Sequence, residues 1–215
     1  MKFFDVKTVI VTPLIKLVLK HPNIMKTKIF MKAMIYFPDK ISKSYDKKIQ
    51  ESETDYKASI IEGLENININ PEKILDLGTG TGVIALLAAK KFPKAEVLGI
   101  DQSKNMLEIS KKKAEREGLN NIEFKIDDAS DLSFNDDEFD LLVTSNAPIY
   151  LSEASRILRS GGNFLVAFSF SGKALLNLEE DIIDFIQEHG FKLLKLSKVK
   201  DGAFILVEKI ITFED

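Results

Sequence analysis

The chain has 215 residues, 45% hydrophobic and 29% charged, which suits one folded domain with a sizeable core and excludes a largely disordered chain. Cysteine is absent and histidine occurs only at His21 and His189, which leaves no material for disulfides, thiolate metal sites or imidazole-rich metal centres. The formal charge of -3 conceals a polarity: residues 1–48 hold eleven lysines and three aspartates, a net of +8, leaving -11 on the remainder. A basic head on an acidic body gives no strong nucleic-acid signal and leaves the head as a candidate docking surface.

In chain order, the head alternates apolar clusters with single lysines, VKTVIVTPLIKLVLK and then IMKTKIFMKAMIYF. Its uncharged run Thr8 to Ile15 is too short to span a bilayer, and Pro13 and Lys16 interrupt the apolar region a cleaved signal needs. A cytoplasmic location is the expectation that follows. From Ile24 to Phe37 the apolar residues Ile24, Met25, Ile29, Met31, Met34, Ile35 and Phe37 fall at loose helical spacing with lysines between them. That pattern suits a helix on a membrane surface or over a substrate, and also a helix packed on the main domain; base rates favour packing.

Ser42 to Glu65 predicts a helix striped by Tyr45, Ile49, Tyr56, Ile60, Ile61 and Leu64, and Asn66 to Pro71 a breaker-rich link. Strand and helix then alternate: strand Lys73–Leu77, helix Gly80–Phe92, strand Glu96–Ile100, helix Lys104–Glu117 closed by Gly118, and strand Ile122–Ile126. A polar loop leads to strand Phe139–Thr144, a short helix near Leu151 to Leu158, and strand Asn163–Phe170 after Gly161-Gly162. Helix Ala174–His189 and strands Phe191–Val199 and Ala203–Ile210, joined at Lys200-Asp201-Gly202, close the chain as an antiparallel hairpin. The expected class is α/β: a Rossmann-like, seven-stranded, mostly parallel sheet with helices on both faces and a helical N-terminal segment. Residues 1–44 form that segment and 45–215 the main domain.

Within this frame Ile74 to Gly82, ILDLGTGTG, stands out: an apolar strand ends at Asp76, and three glycines alternate before a helical pattern begins. Glycine tolerates positive φ and admits a ligand close to backbone amides, which is how an α/β domain makes room for a nucleotide-like molecule. The dinucleotide pattern G-x-G-x-x-G would need glycine at Val83, and the closing hairpin departs from repeated parallel units. Four further stretches follow in order: GIDQSKNML (99–107), KIDDASDLSF (125–134), FDLLVTSNAPIY (139–150) and RILRSGGNFLVAF (156–168). Together the five stretches resemble the class I S-adenosylmethionine-dependent methyltransferases, from about Tyr45 to the C-terminus, and most of all the group that includes the quinone-biosynthesis enzymes.

The resemblance implies S-adenosylmethionine as cofactor. It implies that Asp76, Gly78, Thr79 and Gly80 cradle the methionine part, and that Asp101 accepts the ribose hydroxyls. Gln102 and Met106 would then pack beside the adenine, Asp128 and the Ala129 backbone would address its amino edge, and Asn146 would lie near the methyl donor. Tyr45 and Tyr150 are the candidate substrate-lining residues. Taken alone, each acid is as readily a solvated loop carboxylate or a helix cap, Asp101 for the helix near Lys104 included. The acids Asp127, Asp131, Asp136 and Asp137 lack metal-loop spacing and read as a solvated loop, so no metal site is assigned.

The donor implied is an activated sulfonium, so the protein's task is alignment and exclusion of water. No histidine lies in the loops at the carboxyl ends of the predicted strands, and no catalytic base is assigned. Three functions stay open. The first is methyl transfer to a small-molecule or lipid-precursor acceptor. The second is transfer to an amino group of protein or nucleic acid, since Asn146-Ala147-Pro148-Ile149-Tyr150 faintly resembles the N-P-P-Y motif with one residue inserted. The third is non-catalytic cofactor binding. Contact of the head with a membrane or an acidic partner is compatible with any of the three.

Overall fold

The computed structural model describes residues 57–169 and 172–210. The helix predicted across Ile24 to Phe37, the boundary at residue 45, and Tyr45 lie outside them. Six helices and seven strands are described. They run α1 (Ala58–Glu65), β1 (Lys73–Leu77), α2 (Val83–Lys91), β2 (Glu96–Asp101), α3 (Lys104–Arg116), β3 (Ile122–Ile126) and β4 (Phe139–Ser145). Then come α4 (Leu151–Ile157), β5 (Leu158–Phe168), α5 (Gly172–Leu176), α6 (Glu179–Gln187), β6 (Phe191–Val199) and β7 (Gly202–Lys209).

The strands form one sheet in the order β3-β2-β1-β4-β5-β7-β6. The first five are parallel, whereas β7 runs antiparallel to both β5 and β6. Central strands are rich in apolar residues because both faces are covered: β4 is buried from Phe139 to Thr144. At one edge, β6 exposes Lys192, Lys195 and Lys198, charges that discourage pairing with another chain.

Two cores fill the two faces. One packs Ile60 and Leu64 of α1, Ile84 and Ala88 of α2 and Leu107 of α3 against Ile74, Val97, Leu141 and Phe204. The other packs Leu151 and Ile157 of α4, Leu175 of α5 and Ile182 and Ile186 of α6 against Leu75, Leu142, Phe164 and Ile205. Each fully buried Leu, Ile or Phe contributes about 1.5–3 kcal/mol of transfer free energy, so the two layers hold the sheet rigid beneath its loops.

Most described elements lie within a residue of the sequence-based expectation, and three depart further. Helix α2 begins at Val83 rather than Gly80, because Gly80 and Gly82 sit at φ 53° and 80° and hold the chain in a left-handed loop. Strand β5 begins at Leu158 and runs through Gly161-Gly162. The pairing shifts there, from Phe139↔Leu158 to Leu141↔Asn163, so the surplus residues are absorbed inside the strand. The helix predicted over Ala174–His189 is two helices, broken at Asn177-Leu178. Glu179, Glu180 and Asp181 then occupy the first turn of α6, where carboxylates suit the positive end of a helix.

Candidate functional site

The carboxyl ends of β1, β2, β3, β4 and β5 meet along one edge of the sheet, and the loops leaving them carry the predicted site residues. Asp76, near the end of β1, is completely buried. Its Oδ2 accepts from the Thr79 hydroxyl at 2.6 Å and from the Ala85 N–H at 3.1 Å, which ties the glycine loop to the first turn of α2. Its Oδ1 is buried with no hydrogen-bond partner. Burial, with a smaller push from Asp101, raises its pKa to about 8 against the pull of those two donors.

The loop above it is held open by backbone shape. Gly78, Gly80 and Gly82 all have positive φ, and a side chain on Gly80 would meet nothing within 4 Å. A Cβ on Gly78 would instead come 2.7 Å from the Cβ of Ala147, so the exits of β1 and β4 touch through that glycine. Thr79 N–H donates to Ile100 O at 2.8 Å, fastening the loop to β2.

Asp101 ends β2 with both carboxylate oxygens turned to backbone amides. Oδ2 accepts from Gly80 N–H at 2.9 Å and Oδ1 from Ser103 N–H at 2.8 Å. The cap of α3 is therefore not Asp101: Ser103 Oγ accepts from Met106 N–H at 3.2 Å. A carboxylate oxygen can accept more than one hydrogen bond. Gln102 is half-buried beside it, and Met106 is buried in the first turn of α3. After β3, Asp128 Oδ1 accepts from Ser130 N–H at 2.9 Å and Ser130 Oγ at 2.7 Å, which turns the loop at half-buried Ala129.

Tyr150 precedes α4 and is half-buried. Burial first, then the Asp128 carboxylate, raises its phenol above the ordinary value. Asn146 leaves β4 at φ 53° with its side chain bonded to Ser145 and Ser169. The structure thus gathers Asp76, Gly78, Thr79, Gly80, Asp101, Gln102, Asp128, Ala129, Asn146 and Tyr150 along the one loop-bearing edge of the sheet.

One organiser escaped the sequence reading. Arg156 donates to both Glu153 oxygens at 3.1 and 2.8 Å, to Asp136 at 3.0 Å, and to the carbonyls of Leu132 and Phe134 at 3.0 and 2.7 Å. The acidic loop after β3 is consequently pinned rather than simply solvated. Asp127 is bonded to Ser133 at 2.7 Å, and Asp137 pairs with Lys209 at 2.7 Å. Among the described residues no group of three or more acids or histidines has the arrangement of a metal site. A separate cleft of about 390 Å³, lined by Lys73, Glu96 and Glu123, lies at the opposite, amino edge of the sheet.

A glycine loop facing carboxylates at successive strand ends defines a nucleoside-binding α/β site. A family model described as a methyltransferase domain matches residues 70–194, more than half of the chain, and the chain belongs to this family, the class I S-adenosylmethionine-dependent methyltransferases. Among curated relatives, the demethylmenaquinone methyltransferase of Thermotoga maritima is 37% identical over 107 residues, 50% of this chain and 44% of the relative. The release factor glutamine methyltransferase of Aliivibrio fischeri is 39% identical over 85 residues, 40% of this chain and 30% of the relative. The chain thus spans under half the length of either. A Haloferax volcanii methyltransferase, solved in complex with the Trm112 activator, shares the fold at TM-score 0.67 and 16% identity, covering 81% of this chain and 98% of that one.

The site suits the family's cofactor. The loops leaving β1, β2 and β3 at this edge, residues 78–82, 101–103 and 127–131, contain acids and no lysine or arginine, which matches a cationic sulfonium and ammonium. The Oδ1 of Asp76 is a buried polar atom in want of a partner, and the backbone at Gly80 is open, since a Cβ there would meet nothing within 4 Å. No described helix is long and apolar enough to cross a membrane.

Proposed function

We propose that this chain transfers a methyl group from S-adenosylmethionine to a small-molecule or lipid-precursor acceptor. The observation that carries the reading is the run of carboxylates, Asp76, Asp101 and Asp128, on three successive strand ends around the left-handed glycine loop. In this reading Asp101 takes the ribose hydroxyls, while Gly80 N–H and Ser103 N–H hold the carboxylate in place. Asp128, oriented by Ser130, addresses the adenine amino edge with the Ala129 backbone, and Gln102 and Met106 flank the ring. Asp76 meets the cofactor's ammonium, directly or through water, and gives up its proton as it does so. The Asn146 backbone borders the methyl position and Tyr150 lines the acceptor side.

The cofactor supplies an electrophilic methyl on sulfur. What the chain supplies is alignment: a fixed loop, a fixed carboxylate and a wall from the exit of β4 that excludes water. Residues 1–44, basic and amphipathic, form the cover of this mouth. The described residues begin beside this mouth: Ser59 Oγ, in the first turn of α1, donates to Phe168 O at the carboxyl end of β5 at 2.9 Å.

The likeness to a quinone-biosynthesis enzyme supports a lipid-precursor acceptor. The likeness to a release factor glutamine methyltransferase supports a second reading, transfer to an amide or amino nitrogen. Tritiated methyl transfer into a cell extract separates them once the extract is fractionated. Label in the lipid and small-molecule pools is the expected outcome; label confined to protein or nucleic acid overturns it.

A further inference from the structure

We propose that Asn146 is a positioning residue whose side-chain oxygen locks the acceptor side of the mouth, so that the acceptor is not an amino group held by that oxygen. This rests on the reading of the mouth as a methyl-transfer site.

Strands β4 and β5 pair in parallel as far as Ser145↔Ala167. The next bond, Asn146 N–H to Ala167 O at 3.1 Å, continues the main-chain pairing past the ladder. At φ 53° the backbone then turns away, a conformation that asparagine tolerates better than most residues. The side chain takes over the ladder. Asn146 Oδ1 accepts from Ser169 N–H at 3.1 Å and from Ser169 Oγ at 3.3 Å, while Nδ2 donates to Ser145 Oγ at 3.2 Å. One residue further on, Ala147 lies against Gly78 so closely that a Cβ there would sit 2.7 Å from its own. Asn146 therefore ties the end of β4 to the end of β5, and its neighbour Ala147 abuts the glycine loop.

An amino-group acceptor presents N–H donors and needs an acceptor to grip it. An amide oxygen offers two lone pairs, and Ser169 takes both. Gripping an amine would displace one of the two Ser169 contacts that hold the ends of β4 and β5 together. Recognition falls instead to the 146–149 backbone and to half-buried Tyr150 beside them, a phenol able to donate to an oxygen on the acceptor. A carbonyl, phenol or enol acceptor fits that arrangement.

The test uses the full chain and reads the clamp separately from catalysis. In wild type, the Ser169 amide should exchange hydrogen as slowly as neighbouring strand amides; exchange at the rate of an open loop overturns the clamp. Asn146→Asp keeps the oxygen acceptors and should keep the protection. Asn146→Gly keeps the turn but not the clamp, and should lose protection by about tenfold or more. Tritiated methyl transfer into the lipid and small-molecule extract should stay within about tenfold of wild type in Asn146→Asp and fall about a hundredfold in Asn146→Gly. A hundredfold loss in Asn146→Asp with Ser169 still protected would mean that the amide grips the acceptor, and overturns the inference. Failure of wild type to bind S-adenosylmethionine by calorimetry overturns the methyl-transfer reading instead, and leaves the exchange result standing.

Discussion

The two halves of the sheet do different work with different materials. On the β1-β2-β3 side, acids stand at strand ends and backbone amides converge on them: Asp76, Asp101 and Asp128 receive Ala85, Gly80, Ser103 and Ser130 N–H groups. On the β4-β5 side, neutral groups bond to one another at Ser145, Asn146 and Ser169. In the proposed reading the first half holds a cationic, hydroxyl-bearing ligand, and the second keeps its shape while a less polar acceptor arrives. Gly78, abutting Ala147, is where they meet.

The difference predicts an ordered set of losses. Asp101→Ala removes two charge-assisted acceptors and the anchor of Gly80 N–H, so affinity for S-adenosylmethionine should fall about a hundredfold or more in calorimetry. Gly78→Ala should injure both halves at once. It forces a left-handed residue and a 2.7 Å approach to Ala147, at a cost of about 1–3 kcal/mol in denaturant unfolding. Equal damage from Gly80→Ala, where the space is open, would deny that Gly78 is the joint.

Asp76 gives the acid side a pH signature. Its folded pKa of about 8 lies above the ordinary 3.8, so between those values the folded chain holds a proton that the unfolded chain has lost. Stability from this group is full below about pH 4, declines as pH rises and is gone above about 8. Thermal unfolding should show that decline in wild type, and Asp76→Asn should flatten it; an unchanged slope in the variant would contradict the assignment. Cofactor binding near neutral pH should also release protons in wild type and not in Asp76→Asn.

Smaller effects belong to the frame. Arg156→Ala frees the loop after β3 and should speed exchange across residues 132–136 while weakening cofactor binding only about two- to fivefold, since Asp128 is oriented by Ser130. Tyr150→Phe should leave cofactor affinity within about twofold and lower transfer to the acceptor. Equal loss of both would move Tyr150 to the cofactor side.

Much of this was legible in the chain because it is written locally. Strands β1, β3 and β6 have the predicted bounds, since apolar runs end at breakers such as Asp76-Leu77-Gly78 and His189-Gly190. The acids on strand ends were legible for the same reason. What escaped depends on residues brought together by the fold. Gly161-Gly162 resembles a turn until the register of β4 shows that the strand absorbs it. Arg156 reaches a loop more than twenty residues earlier, to Leu132 and Phe134, and nothing around it in the chain announces those partners. Ser169 is paired with Asn146 across 23 residues, a contact that exists only once β4 and β5 are aligned. The break before α6 was readable after all: three consecutive acids at Glu179 mark a helix start.

The central claim is that the acidic half of the sheet binds S-adenosylmethionine through Asp101. Calorimetric titration of the intact chain, wild type beside Asp101→Ala, tests it most directly. A saturable one-to-one isotherm in wild type, weakened about a hundredfold in the variant, is the predicted result. Absence of binding by wild type at high micromolar cofactor, or equal affinity in the two proteins, would contradict it.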